Sequence, residues 1–407
     1  MFYYELKKIL SRKSGRIVIF LICAMLALVC CFAVHNPNTV YVDENGQTQH
    51  GYAAVRKLRA QRHEWAGKLT TDALARVIEE NARINEDAAK SGASDDVVWG
   101  KKRAFDDIST MINRAFGKFR EYDYYKIDSL SPDDAAQFYD RRVISLTEWL
   151  DSNEAQILSD DEKAFLTERY MELETPVEYD YMTGWEMHAE YMPTVTMLLM
   201  LLISFPIAGI FSGEKQLKAD AVFFSSYHGR GRAVLAKLMA GIAFATAAYW
   251  AAVIVYSAVV LGFLGADGAG LMVQIDAWKS FYNITFFEQF LLMVFGGYIG
   301  CLSIALLEML VAAKTKSAMV SAAVPFVLIF LPTFISGLVS RLEYGNKILG
   351  LLPDQLFIIS QVMSQFNLYK IGSKITGAVE VLFPLYIVVS LFLMPVIYLI
   401  YRRSEVQ

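Results

Sequence analysis

The sequence predicts an all-α polytopic membrane protein, with six transmembrane helices carrying one extracytoplasmic helical domain. Three observations lead there. Hydrophobic residues fill 55% of 407 positions and charged residues 20%, against about 45–50% apolar residues in ordinary soluble domains. The apolar residues gather in blocks near the N-terminus and beyond residue 190, which excludes a single large soluble core. Between those blocks, residues 35–190 hold 31 Asp and Glu against 19 Lys and Arg, so the net charge of −4 divides into −12 there and +8 elsewhere. Nucleic acid is excluded as a partner, because its binders carry a basic patch on the soluble part and this part is acidic.

Residues 1–16 open the chain with Phe2, Tyr3, Leu6, Ile9 and Leu10 on one helical face and Lys7 and Lys8 on another. This is the pattern of an amphipathic helix lying in the cytoplasmic interface of the bilayer. A basic flank that only sets topology is the competing reading. The first span follows at 17–34. Its run of about 18 apolar residues exceeds the h-region of a secretory signal and no A-x-A site follows, so it reads as an uncleaved anchor. Cys30 is preceded by Val29 rather than a small residue, which disfavours lipid attachment.

Residues 35–190 read as helical throughout, forming an extracellular bundle or a long helical hairpin. Phe105, Ile108, Ile112, Phe116 and Phe119 make one helical face, and Leu74, Val77 and Ile78 begin another after Thr70-Thr71-Asp72. Ser159 to Glu162 has the form of a capping box, and Ser131-Pro132 that of a cap followed by proline. Thr39 to Val42 suggests one short strand, with no partner evident.

Further runs at 192–211, 235–264, 287–312, 318–339 and 379–401 supply the other spans, each near the ~20 residues that cross a ~30 Å hydrocarbon core. Lys and Arg cluster before span one, in the 212–233 loop, at Lys314 and Lys316, and at Arg402 and Arg403. That distribution puts both termini in the cytoplasm and residues 35–190 and 340–378 outside. Arg341, Lys347, Lys370 and Lys374, between spans five and six, run against the bias.

Catalytic and metal motifs fail on inspection. His63-Glu64-Trp65-Ala66-Gly67 lacks the second histidine of HExxH, and Gly229-Arg230-Gly231-Arg232 lacks the spacing and ending of a phosphate-binding loop. No GxSxG elbow occurs. Asp95-Asp96, Asp106-Asp107, Asp133-Asp134 and Asp160-Asp161 lack EF-hand spacing and read as solvated helix faces and helix starts. The four cysteines all lie in apolar runs, so no disulfide framework or zinc site is expected.

Within the spans, Glu308 is an intramembrane carboxylate about one turn from the end of span four, a functional-site candidate by position. Its competing reading is a carboxylate that reaches the interface or pairs with Lys314 or Lys316. Pro206, Pro325, Pro332, Pro384 and Pro395 suggest kinked helices. Tyr249, Trp250 and Tyr256 line a substrate path on one reading and pack on the other.

The stretch from Phe211 to Gly241 carries Glu214, Lys218, Phe223-Phe224-Ser225-Ser226, Arg230, Arg232 and Lys237. It resembles the permease family of ABC-2 type transporters, in which span two ends on an acidic residue and a serine-containing turn leads through arginine and lysine into span three. Glu5-Leu6-Lys7-Lys8 resembles that family's opening, and Leu352-Pro353 with Gln355 to Ile359 its segment before the last span. The likeness covers residues 1–34 and 192–403. Lys218 stands where many members have glycine, and His228-Gly229 where a proline usually precedes the arginine.

The resemblance implies a half-transporter in a bacterial plasma membrane, pairing with a second permease subunit, as homodimer or paired permease, and with separate ABC ATPase subunits. It implies no cofactor in this chain, with ATP and Mg bound by the ATPase. Glu214, Lys218, Phe223, Phe224, Arg230 and Arg232 become the coupling surface for ATPase docking, and Phe2, Leu6, Lys7 and Lys8 the interface helix beside it. Two adjacent Phe within mixed charge suit a small docking surface with an aromatic anchor. The reading is an exporter without enzymatic activity of its own. A receptor whose acidic outer domain binds a ligand is the alternative.

Overall fold

The computed structural model describes residues 1–43, 45–216, 225, 229, 231–339 and 344–403. Among these, six helices are long and apolar enough to cross a membrane: Lys13–Val34, Thr183–Glu214, Arg232–Leu264, Phe286–Thr315, Ala318–Val339 and Ala378–Arg402. They are called spans one to six below. Spans two and four hold the centre, each touching at least four of the others, while spans five and six present most of their apolar surface outward. Phe334, Val388, Leu391 and Phe392 stand on that outward surface, as a lipid-facing shell requires because no water-driven burial operates there.

The N-terminal helix Phe2–Ser11 is separate from span one. Arg12 adopts an extended conformation (φ −64°, ψ 148°) that ends the first helix and starts the second. The sharp turn needs Gly15, since a Cβ there would collide with the carbonyl oxygen of Ile9. The break therefore falls at residue 12, not 16.

Span two begins at Thr183, about two turns before the predicted start. Gly184 permits it, because a Cβ at that position would strike the carbonyl of Gly265 at the end of span three. Residues 183–190 accordingly belong to the bundle rather than to the inserted domain. Span four runs on to Thr315, past the predicted end at 312.

The inserted domain is a cluster of short helices, not a long hairpin. Its helices are Tyr52–His63, Thr71–Ser91, Asp95–Lys102, Asp106–Phe116, Phe138–Leu150 and Asp160–Met171. Thr70 caps the second by accepting from the Ala73 amide, and Leu74, Val77 and Ile78 are buried along it. Ser159 and Glu162 form the capping box, and Ser131 with Asp134 forms another that spans Pro132. The face begun by Phe105 ends at Phe116, where Gly117 stops the helix. Phe119 lies beyond it and joins a second core with Leu146, Trp149, Leu150, Leu166 and Tyr170.

Among the described residues there are three antiparallel strand pairs, of which sequence patterning found one strand of the first. Tyr41–Val42 does find a partner, Thr48–Gln49. Gly67–Lys68 pairs with Glu178–Tyr179, and Leu368–Ile371 with Lys374–Gly377. Strands of two to four residues carry too little alternation to register as a period-2 pattern.

Ion pairs fix the domain to the loops of the bundle. Glu162 accepts from Lys347 at 2.6 Å and Asp161 from Lys370 at 2.7 Å; Asp161 is an exposed acid in the first turn of its helix, as expected, that also meets Lys370. Arg59 pairs with Asp267. Burial pushes the Glu162 carboxyl up, but Lys347 and the Ser159 amide more than offset it, leaving it below the usual range.

Candidate functional site

Two charge clusters and one isolated carboxylate stand out in the bundle. The first is a joint between the N-terminal helix and the adjoining ends of spans two and three. Glu214 lies in the last turns of span two and Lys237 in the second turn of span three, both buried. Lys237 Nζ donates to Glu214 Oε1 at 2.6 Å and to the Ile210 carbonyl at 3.2 Å. From the N-terminal helix, Lys8 Nζ donates to the same Glu214 oxygen at 2.8 Å, and Glu5 Oε2 sits 3.2 Å from Lys237 Nζ.

Glu5 and Lys8 can share this task because three residues along a helix bring side chains to one face. Ile9 is buried beside them and Leu6 packs partly against the core. Phe2, Tyr3, Tyr4, Lys7 and Leu10 remain exposed. The sequence placed Lys8 with Lys7 on an outward polar face; the structure turns Lys8 inward. The Arg12 guanidinium lies where Cβ atoms on Gly209 or Gly213 would crowd it at 3.0 Å, so these glycines let it lie against span two. A cavity of about 160 Å³ opens between Glu5, Lys8, Arg12 and Pro206.

Two carboxylates and two ammonium groups close this set, and breaking such a buried pair on one side typically costs about 3–5 kcal/mol. Glu214 Oε2 is also buried and accepts no hydrogen bond among the described residues. Arg232 begins span three and is exposed. Lys218, Phe223, Phe224 and Arg230 lie outside the described residues.

The second cluster ties the inserted domain to the first turn of span two. Arg62 is 2% exposed and reaches Asp107 at 2.9 Å, Thr183 Oγ1 at 2.7 Å and Glu186 at 3.7 Å. Tyr179 donates to the same Asp107 oxygen, Oδ2, at 3.0 Å. Burial alone would lower the Arg62 pKa; Asp107, Tyr179 and Glu186 outweigh it and hold the guanidinium charged. Arg103, close by, donates to the Asn38 carbonyl at 2.7 Å.

Glu308 is fully buried in span four, and neither carboxylate oxygen has a partner among the described residues. The expected reach to the interface or pairing with Lys314 or Lys316 does not occur. The helix continues to Thr315, so Glu308 sits about two turns, on the order of 10 Å, from its end.

Tyr249 and Tyr256 are interhelical fasteners. The first donates to the Val294 carbonyl at 2.6 Å and the second to the Met187 and His188 carbonyls at 3.2 and 3.1 Å. Both are fully buried, and Trp250 packs on Phe295 and Tyr298, so these rings pack and do not line a path.

Sequence reasoning reached Glu214 and Lys8 but not their convergence on Lys237 and Glu5. A lysine five residues into an apolar helix was the available signal, since buried charge in a span demands a partner. The Arg62 cluster had no local signal, because its members come from three separated segments. Comparison with protein-family models and with curated proteins finds no match to this chain.

Proposed function

We propose that this chain is the membrane-spanning permease subunit of an ATP-driven transporter of the ABC-2 type, acting as an exporter energised by a separate ATPase. The observation that carries the reading is the Glu5–Lys8–Glu214–Lys237 joint. It ties a surface-lying helix to both ends of the 212–233 loop. A push on that loop from a docked ATPase would therefore move the N-terminal helix and spans two and three together. Such a rigid joint suits transmission of a change between two packed states.

In this reading the joint faces the cytoplasm, the inserted domain lies outside, and the working unit contains two permease chains. The basic residues flanking the joint's end of the bundle, Lys7, Lys13, Arg16 and Arg402 among them, support the assignment. So does the engagement of Lys347 and Lys370 by Glu162 and Asp161, which accounts for basic residues on the domain side. Glu214 Oε2, buried and without a donor among the described residues, is available to a loop or partner donor. ATP and Mg belong to the ATPase.

The test is charge reversal in the complex recovered from its native membrane. Glu214→Lys and Arg230→Glu should each abolish stimulation of the partner's ATP hydrolysis, while Glu80→Lys on the outer surface leaves it intact. Undiminished stimulation in both loop variants would overturn the coupling role.

A further inference from the structure

Where the inserted domain meets the loops of the bundle, two cavities of about 590 and 600 Å³ share one wall. That wall is built from Phe119, Arg120, Lys279, Ser364 and Gln365. Phe119 and Arg120 follow the domain helix Asp106–Phe116, Lys279 lies between spans three and four, and Ser364 and Gln365 between spans five and six. Three distant segments thus converge on one cleft.

Among the described residues, the cations in this wall form no ion pair. The Arg120 guanidinium rests 4.5 Å from the centre of the Trp149 ring, and Lys279 Nζ lies 5.8 Å from that of Phe119. Among the described residues, neither has a carboxylate within ion-pair distance. Nearby acids are already engaged: Glu121 by Lys118 at 3.0 Å, Glu154 by the Trp149 indole at 3.2 Å and Glu162 by Lys347 at 2.6 Å. Burial, with Arg120 and Arg114 close by, pushes the Lys279 amine down, as expected for like charges held together.

A second, independent observation points the same way. Trp278 lines the first cavity, is 2% exposed, and its indole N–H has no acceptor among the described residues. Behind it the equally buried Arg142 stands 4.7 Å from the Trp278 ring, all three of its guanidinium nitrogens without an acceptor among the described residues. Buried donors without acceptors are costly unless something fills the role.

The same wall continues into an aromatic floor, where Phe119 stacks on Trp149 and Phe366 with ring centres 5.4 and 5.7 Å apart. The first cavity is also lined by Glu186, Glu190 and Asp276, whereas the second has Glu154 as its one lining acid. Each cavity has the volume of a small-molecule site.

We propose that this cleft binds an anionic group borne on an apolar or aromatic body, with Arg120 and Lys279 as its counter-charges and the Phe119–Trp149–Phe366 floor against the body. The inference stands apart from the transporter reading, since it concerns binding by this chain alone.

A phosphate monoester on a soluble ring or on a lipid presents the same chemistry. The test titrates the full-length chain in detergent with inorganic phosphate, phenyl phosphate and dihexanoyl phosphatidic acid, read by calorimetry and by the shift in thermal unfolding. Phenyl phosphate or the short lipid should bind saturably and more tightly than phosphate. The tighter of the two identifies a soluble or a lipid source. Arg120→Ala with Lys279→Ala should weaken that binding at least about tenfold, whereas Arg120→Lys with Lys279→Arg retains it. Absence of saturable binding, or equal binding to the alanine variant at unchanged unfolding temperature, would overturn the proposal.

Discussion

Lys237 Nζ stands 2.6 Å from Glu214 Oε1, joining the start of span three to the end of span two. The lysine has no exposed surface and the glutamate only 6%. Lys8 and Glu5 extend this pair to the N-terminal helix, so one buried carboxylate organises three elements.

Lys237→Met leaves Glu214 buried with Lys8 as its remaining cation, and is expected to destabilise the chain by about 3–5 kcal/mol. Removing both charges, as Glu214→Met with Lys237→Met, should recover much of that loss. Thermal unfolding in detergent measures both. Simple additivity of the single losses would contradict the pairing.

Much of this was visible in the sequence. The spans announced themselves through runs of apolar residues, and Ser159 and Thr70 through their caps, because those signals lie within a few neighbouring positions. Glu214 stood out as a charge at the end of an apolar run. Its partners did not, since Glu5 and Lys237 meet it only through packing of three helices. The same holds for Arg62, which meets Asp107 and Glu186 across the domain boundary, and for Arg120 and Lys279, which come together from separate loops. Lys347 and Lys370, anomalous in a count of basic residues, make sense only with Glu162 and Asp161 in place.

Arg62→Met removes the cation between Asp107 and Glu186 and leaves both acids without it. Loss of stability of about 3–5 kcal/mol is expected, concentrated where the domain meets span two. Limited proteolysis should cut the inserted domain faster in this variant. Arg62→Lys should rescue only in part, because an ammonium cannot reproduce the guanidinium fork that contacts Asp107 and Thr183 together.

Asp354 precedes span six in a short 3-10 turn, with its Oδ1 buried and unpartnered among the described residues. Burial pushes its carboxyl up to about 6, against about 3.9 in an unfolded chain. The folded state then holds the proton more tightly, so this group's contribution to stability declines as pH rises from about 4 to about 6 and is flat above. Asp354→Asn should remove that slope and raise the unfolding temperature at pH 7. An unchanged slope would assign it to other groups.

Glu308 is buried without a partner among the described residues, a costly arrangement in a membrane helix. Glu308→Gln should therefore raise the unfolding temperature. If the variant also loses activity in the recovered complex, the carboxylate serves function at the expense of stability. A lower unfolding temperature would show that Glu308 has a stabilising partner in the assembly.

The proposed function requires a separate ATPase bound to this chain. The most direct measurement is purification of the tagged full-length chain from its native membrane in mild detergent, with quantitative mass spectrometry of what accompanies it. A nucleotide-binding ATPase is expected near one copy per chain, lost on Glu214→Lys. Recovery of the chain alone, or with a signalling kinase and no ATPase, would contradict it.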